Sequence, residues 1–231
     1  MTLIAIAGQS NAIVFHNDGP PPYGVDPLTY IWDAKEHAWT VMIPGVNTGT
    51  PGSPNSWGPE VEIAHEFRQT HPDTVLAIVK TAWGSTGLAQ DPDAFDWSPE
   101  SRGEAYDKAT AILTEARQSI GATEFDGFFW MQGETDATDA HKAAAYQSNL
   151  TDFFSHARAD WHVGNIEFGR VAASTPYFEQ VRWAQYLVDQ ADPHARSFDT
   201  YAYPMQGDGI HYSASGAIQL GHDLYAGWVW P

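Results

Sequence analysis

Leu3-Ile4-Ala5-Ile6-Ala7-Gly8-Gln9-Ser10-Asn11 decides how the rest of the chain is read. The apolar run Leu3 to Ala7 has the length and bounding glycine of a strand, and it passes directly into a polar, reactive cluster. Working outward, the pattern recurs: apolar runs at Thr74 to Lys80, Phe125 to Met131 and Ile166 to Ala172, with a weaker one near Ser197 to Tyr201. Between them lie longer segments of helical period. Ala105, Ala109, Ile112, Leu113 and Ala116 form one stripe; Tyr146, Leu150, Phe153, Phe154 and Ala157 form another. Gly58-Pro59 opens a further helix with proline at its first turn and Val61, Ala64 and Phe67 on its inner face. A last helix is expected from about Ser213 to about Trp228. Strands alternating with helices predict an α/β fold with a five-stranded parallel sheet.

No repeat, linker or low-complexity stretch divides residues 1–231, so one domain is expected. Two stretches break the rhythm, Phe15 to Trp57 and Trp83 to Gly103, both rich in Pro, Gly, Asp and Trp. They read as long loops walling a cleft. Within the first, Tyr30-Ile31-Trp32 and Trp39-Thr40-Val41 are expected to pair as a small hairpin outside the main sheet.

Composition narrows the function classes. The formal net charge of −18, with only 11 Lys and Arg, would repel a polyphosphate backbone, so nucleic acid is not expected as a partner. No apolar run approaches the ~20 residues that cross a bilayer, and no membrane partner is expected. The first residues lack a basic region and cleavage site, so the reading is cytoplasmic, with export or incorporation in a phage particle left open. The absence of cysteine removes disulfides and thiolate metal sites and says nothing of compartment. Oligomeric state is not legible.

In an open parallel sheet, ligands bind beyond the carboxyl ends of the strands. Four of the five expected strands are followed by reactive or polar groups: Gly8-Gln9-Ser10-Asn11, Trp83-Gly84-Ser85-Thr86, Gln132-Gly133-Glu134 and Asp208-Gly209-Ile210-His211. A serine hydroxyl needs a base and an acid that orients the base. Ser10 and His211 fill the first two roles, and Asp208, three residues before the histidine, is placed to accept its Nδ1 proton. Backbone N–H groups at Ser10 and Gly84 and the amide of Gln132 suit an oxyanion. Each residue also has a plainer reading. Ser10 suits an N-cap or turn, Asp208-Gly209 a turn, Gln132 a partner for backbone groups, and Glu134 and Asp136 caps for the helix after the third strand.

Five ordered blocks sharpen the choice: Gly8-Gln9-Ser10-Asn11, Gly58-Pro59-Glu60, Lys80-Thr81-Ala82-Trp83-Gly84-Ser85-Thr86, Trp130-Met131-Gln132-Gly133-Glu134-Thr135-Asp136 and Asp208-Gly209-Ile210-His211. Together they resemble the SGNH hydrolases, and more closely the sialate O-acetylesterase-like and carbohydrate esterase family 6 branch. The resemblance implies a flavodoxin-like three-layer α/β/α sandwich with a five-stranded parallel sheet. It implies Ser10 as nucleophile, His211 as base, Asp208 as its partner, and Ser10, Gly84 and Gln132 as oxyanion donors. Gln9, Asn11 and Glu134 become supporting residues. Gln132 stands where many SGNH enzymes carry asparagine, and Ser85 stands where the second block often has glycine, so this serine must adopt glycine-like backbone angles.

The function expected on this basis is hydrolysis of O-acetyl esters on a carbohydrate through an acyl-serine, without metal or organic cofactor. Trp32, Trp39, Trp57, Trp83 and Trp97 are candidate sugar-stacking surfaces. Two alternatives stand beside it: an esterase of small non-carbohydrate esters, and a glycan-binding module of a larger assembly that has kept the fold without turnover. Metal-dependent hydrolysis lacks a clustered His and carboxylate pattern in the sequence.

Overall fold

The structure is a computed structural model that describes residues 1–14, 19–49, 56–172 and 174–228. Residues 15–18 and 50–55 of the first expected loop lie outside the described residues. In chain order the elements are β1 (Thr2–Gly8), α1 (Ser10–Ile13), β2 (Thr29–Asp33), β3 (Ala38–Val41), α2 (Glu60–Thr70) and β4 (Leu76–Ala82). Then follow α3 (Ala105–Ser119), β5 (Gly127–Met131), α4 (Ala140–His156), β6 (Ile166–Arg170), α5 (Phe178–Ala191), β7 (Ala195–Asp199) and α6 (Ala214–Trp228).

One sheet runs in the order β3-β2-β4-β1-β5-β6-β7. The five expected strands are β1, β4, β5, β6 and β7; all their pairings are parallel and their order is the flavodoxin-like one. The expected hairpin forms, but not outside the sheet. β2 pairs parallel with β4, setting Ile31 opposite Ile78, and β3 adds antiparallel to β2, giving seven strands. The physical reason is the edge of β4, an apolar strand whose backbone groups need a partner on its open side.

Alternation along each strand sorts the side chains into two layers. Leu3, Ala5 and Ala7 of β1, with Phe128 and Trp130 of β5, pack beneath α3, α4 and α5 through Leu113, Tyr146, Phe153 and Val181. Ile4, Ile6, Ile78 and Phe129 face the other way, onto Ile63 and Phe67 of α2 and Leu220 and Leu224 of α6. Each fully buried side chain of this size is worth roughly 1.5–3 kcal/mol of transfer free energy, so both layers hold the sheet rigid. Among the described residues no helix is long and apolar enough to cross a membrane.

Candidate active site

Register brings the reactive blocks together. Gly8, the last residue of β1, lies between Ala82 of β4 and Met131 of β5, so three chains leave the sheet side by side. Gly8 has φ +137°, and a Cβ there would lie 2.0 Å from the Met131 carbonyl oxygen, so no larger residue fits. The Gln9 N–H donates to Met131 O at 2.9 Å and the Trp83 N–H to Gly8 O at 3.1 Å, closing the level. Ser10 then opens α1, where a first-turn N–H has no intrahelical acceptor.

Ser10 is buried at 5% exposure, and its Oγ lies 3.1 Å from Nε2 of His211, 201 residues away in sequence. Nδ1 of the same ring lies 2.7 Å from Asp208 Oδ2. These partners assign the tautomer: Nδ1–H donates to the carboxylate and Nε2 accepts from the serine hydroxyl. Burial works to raise the Asp208 carboxyl, but hydrogen bonds from the His211 ring and from the His211 and Ile210 backbone N–H groups prevail and hold it at about 2. It is therefore ionised throughout the neutral range.

The loop carrying His211 is fixed by Asn11. Its Nδ2 donates to Ile210 O at 2.9 Å and its Oδ1 accepts from the Tyr212 N–H at 3.0 Å, so it grips the backbone on both sides of the histidine. Asn11 also donates to Glu134 Oε1 at 2.5 Å. Burial raises the Glu134 carboxyl, opposed by this bond, and its Oε2 makes no hydrogen bond among the described residues. Glu134 thus orients Asn11, and Asn11 orients the histidine loop.

A Cβ added to Gly84 would lie 3.9 Å from that of Ser10, so the backbone at Gly84 runs beside the serine. Ser85 adopts φ +59°, the left-handed conformation that the glycine of the usual second block takes without strain. Gln132 is placed differently from the expected oxyanion donor. Its side chain is fully buried, and Nε2 donates to Thr86 O at 3.0 Å and Asp136 Oδ2 at 2.7 Å. Tyr146 Oη donates to its Oε1 at 2.9 Å. Both amide hydrogens have acceptors inside the fold. Gln9, in contrast, lines the cleft. Its Oε1 accepts from the Gly133 and Thr135 N–H groups at 3.3 and 3.2 Å. Backbone N–H groups only donate, so they fix which end of the amide is oxygen and which is nitrogen.

The cleft has a volume of about 300 Å³ and is walled by Gln9, Ser10, Ser85, Thr175, Ile210 and His211 among others. Neither Glu134 nor Asp136 caps the following helix. Asp139 does, accepting from the His141 and Lys142 N–H groups, while Asp136 accepts from Leu88 and Ala89. The tryptophans expected at a sugar surface are mostly interior: Trp32, Trp57 and Trp97 are buried, Trp57 donating to Gly19 O and Trp97 to Thr86 Oγ1. Trp83 is half-buried against Phe95 and Trp97, and Trp39 packs edge-on to Trp32. Sequence reasoning missed Trp183, which is 59% exposed. Its signal was present: Trp183 and Tyr186 fall off the stripe of Val181, Ala184 and Val188 that α5 buries. Glu62, Glu66 and His222 are near enough to share a cation, but none of them lines the cleft, and Glu66 and His222 pair with each other.

Comparison with known proteins bears on this geometry. A family model described as carbohydrate esterase, sialic acid-specific acetylesterase, matches residues 1–229. A probable carbohydrate esterase of Arabidopsis thaliana is 26% identical over 152 residues, 65% of this chain and 54% of that protein, so the match spans about half of the relative's length. The crystal structure of that plant protein superposes with a TM-score of 0.84 at 21% identity, covering 99% of this chain and 98% of the other. A carbohydrate acetylesterase from Xanthomonas citri follows at TM-score 0.65 and 14% identity, covering 97% of this chain and 55% of its own. An acetyl xylan esterase from Geobacillus stearothermophilus gives 0.57 and 12%, covering 99% and 94%.

Proposed function

The chain belongs to the carbohydrate esterase family described by the sialic acid-specific acetylesterases, and from that premise we propose that it hydrolyses O-acetyl esters on a carbohydrate through an acyl-serine intermediate. The observation that carries the reading is the line of hydrogen bonds from Ser10 Oγ through the His211 ring to Asp208.

In this reading Ser10 Oγ attacks the ester carbonyl carbon while His211 Nε2 takes its proton. The ionised Asp208 stabilises the imidazolium that forms. The oxyanion develops against the Ser10 N–H, the backbone N–H groups of the Gly84-Ser85 turn and a side-chain amide. That amide is Gln9 Nε2, because the Gln132 hydrogens are held by Thr86 and Asp136. The ester C–O bond breaks, and the proton on Nε2 passes to the departing sugar hydroxyl. Water then attacks the acetyl-serine carbonyl, giving its proton to Nε2. Collapse returns that proton to Ser10 and releases acetate. A cleft of about 300 Å³ at the serine suits a small acyl group.

The test is acetate release from acetylated xylo-oligosaccharides, O-acetylated sialic acids and p-nitrophenyl acetate, with Ser10→Ala as control. Turnover that is lost in the variant and prefers a glycan supports the proposal. Preference for the aryl ester would assign a small-ester hydrolase. Glycan binding without turnover would assign a binding module.

A further inference from the structure

The two most exposed large aromatic side chains among the described residues are Tyr201, at 66%, and Trp183, at 59%. They are not scattered. Both line one cavity of about 380 Å³, together with Arg170, Phe178, Arg182 and Tyr186. Trp183 and Tyr186 stack on one another with ring centroids 5.1 Å apart and planes 28° from parallel. The Arg182 guanidinium lies 5.5 Å from the Tyr201 centroid and that of Arg170 5.8 Å from the Tyr186 centroid. Exposed aromatic side chains gathered on one patch, in contrast to ones scattered singly, mark an interaction or ligand site.

Position ties this cavity to the catalytic cleft. Arg170 ends β6, and Tyr201 comes two residues after the end of β7, so the cavity opens at the same carboxyl edge of the sheet as Ser10. One short segment separates the two: Thr175 lines the catalytic cleft and Phe178 lines the aromatic cavity. Its Ser174 N–H donates to Gly209 O at 2.9 Å, inside the loop that carries Asp208 and His211.

Charge selects the occupant. Arg170 and Arg182 both pair with Asp199, which lies outside the lining, and Glu179 is the carboxylate of the wall itself, so the two guanidiniums are matched by two carboxylates in all. In a protein of net charge −18, such a balanced patch favours neither an anionic nor a cationic ligand. It offers exposed aromatic faces bordered by guanidinium donors and the Glu179 carboxylate. A neutral pyranose presents the complement, an apolar C–H face rimmed by hydroxyls that both donate and accept.

We propose that this cavity is a carbohydrate-binding subsite, holding a neutral sugar unit of the glycan whose acetylated unit occupies the catalytic cleft. The proposal rests on the esterase reading and names the site that lengthens its substrate. Because Trp183 and Tyr201 are exposed, alanine at either leaves the fold intact, which matching thermal melts verify. Deacetylation of acetylated xylo-oligosaccharides of two to six sugars should separate Trp183→Ala from the parent. On the longest oligomers kcat/KM falls about tenfold, mainly through KM, while p-nitrophenyl acetate is hydrolysed at the parental rate. Unsubstituted xylo- and manno-oligosaccharides should quench tryptophan fluorescence in Ser10→Ala and not in Ser10→Ala/Trp183→Ala. That titration needs no turnover, so it separates failure of the subsite from failure of the esterase reading. Equal KM for parent and variant on the longest oligomers, or binding of neither oligosaccharide, overturns the proposal. So does a concentration-dependent dimer in sedimentation that Trp183→Ala abolishes, because the patch would then be an interface between copies.

Discussion

The Oε1 of Gln9 lies 3.3 Å from Nε2 of Gln132, and the two amides are ordered front to back. Gln132 is spent within the fold, and Gln9 stands before it at the cleft with its oxygen locked by two backbone N–H groups. Gln9→Glu keeps the locked oxygen and replaces the amide donor with an acceptor. If Gln9 stabilises the oxyanion, kcat for p-nitrophenyl acetate falls about 10²–10³-fold with KM little changed. A variant within threefold of the parental kcat would remove Gln9 from the mechanism.

Asn11 meets three partners, Glu134, Ile210 and Tyr212, and none of them is a reacting atom. Asn11→Ala leaves a buried carboxylate and two backbone groups without their bonds, at a cost of about 2–4 kcal/mol. It also frees the His211 loop. At a temperature where the variant is fully folded, kcat should fall at least tenfold while KM is nearly constant. The contrast with Asn11→Asp is diagnostic: that side chain keeps the acceptor for Tyr212 but sets a second carboxylate against Glu134, so its activity relative to the parent at the same pH should recover on mild acidification. A ratio of Asn11→Asp to parental activity that does not change with pH would show that the Glu134 contact does not orient the loop.

Glu167 lies on β6, 5% exposed, with Oε2 making no hydrogen bond among the described residues and Gly227 pressed against it. Burial raises its carboxyl to about 7, with Arg196 pulling the other way. The folded value is above the unfolded one of about 4.3. The native state therefore holds the proton more tightly. This stabilising contribution is complete below pH ~4 and is lost as pH rises toward 7. Glu167→Gln should melt with the parent at pH 4.5 and above it at pH 8, by on the order of 1–2 kcal/mol, or about 2–8 °C. Equal melting temperatures at pH 8 would mean that Glu167 is ionised without penalty.

Much of this architecture is legible in the residues, and the failures have physical causes. Leu3 to Ala7 and its counterparts read as strands because each is apolar and stops at a polar cluster. Asp208 and His211 read as a pair because three residues of a turn bring their side chains together. That Ser10 meets His211 follows once parallel strands put the block ends on one edge. The direction of an amide does not follow, since Gln9 and Gln132 are sorted by N–H groups of Gly133 and Thr135 that only the folded backbone aims. Nor does the joining of β2 to β4, which depends on an edge left open by strands distant in sequence. Tryptophan content says nothing of burial. Trp32, Trp57 and Trp97 come from the loops that suggested a cleft wall and are packed inside, while Trp183 comes from a helix and faces water.

Lys80 is the last case, a cation almost without access to water. Its Nζ donates to Glu60 Oε2 at 2.7 Å and Thr48 O at 2.9 Å, and the two side chains are 3% and 0% exposed. Glu60 in turn accepts from the Gly58 N–H at 2.7 Å, so the pair fastens the start of α2 to β4 beneath α1, which bears Ser10. Burial lowers the Lys80 ammonium, and its attraction to Glu60 opposes that. Desolvation offsets most of the Coulomb gain of such a pair, whereas removing one member strands the other. Lys80→Met should therefore destabilise by about 3–5 kcal/mol, and Lys80→Met/Glu60→Leu should recover a large part of that loss, both measured by urea unfolding. If the double variant is no more stable than Lys80→Met, the pair acts mainly through the Gly58 and Thr48 bonds that fix the helix entry, and the charge itself contributes little.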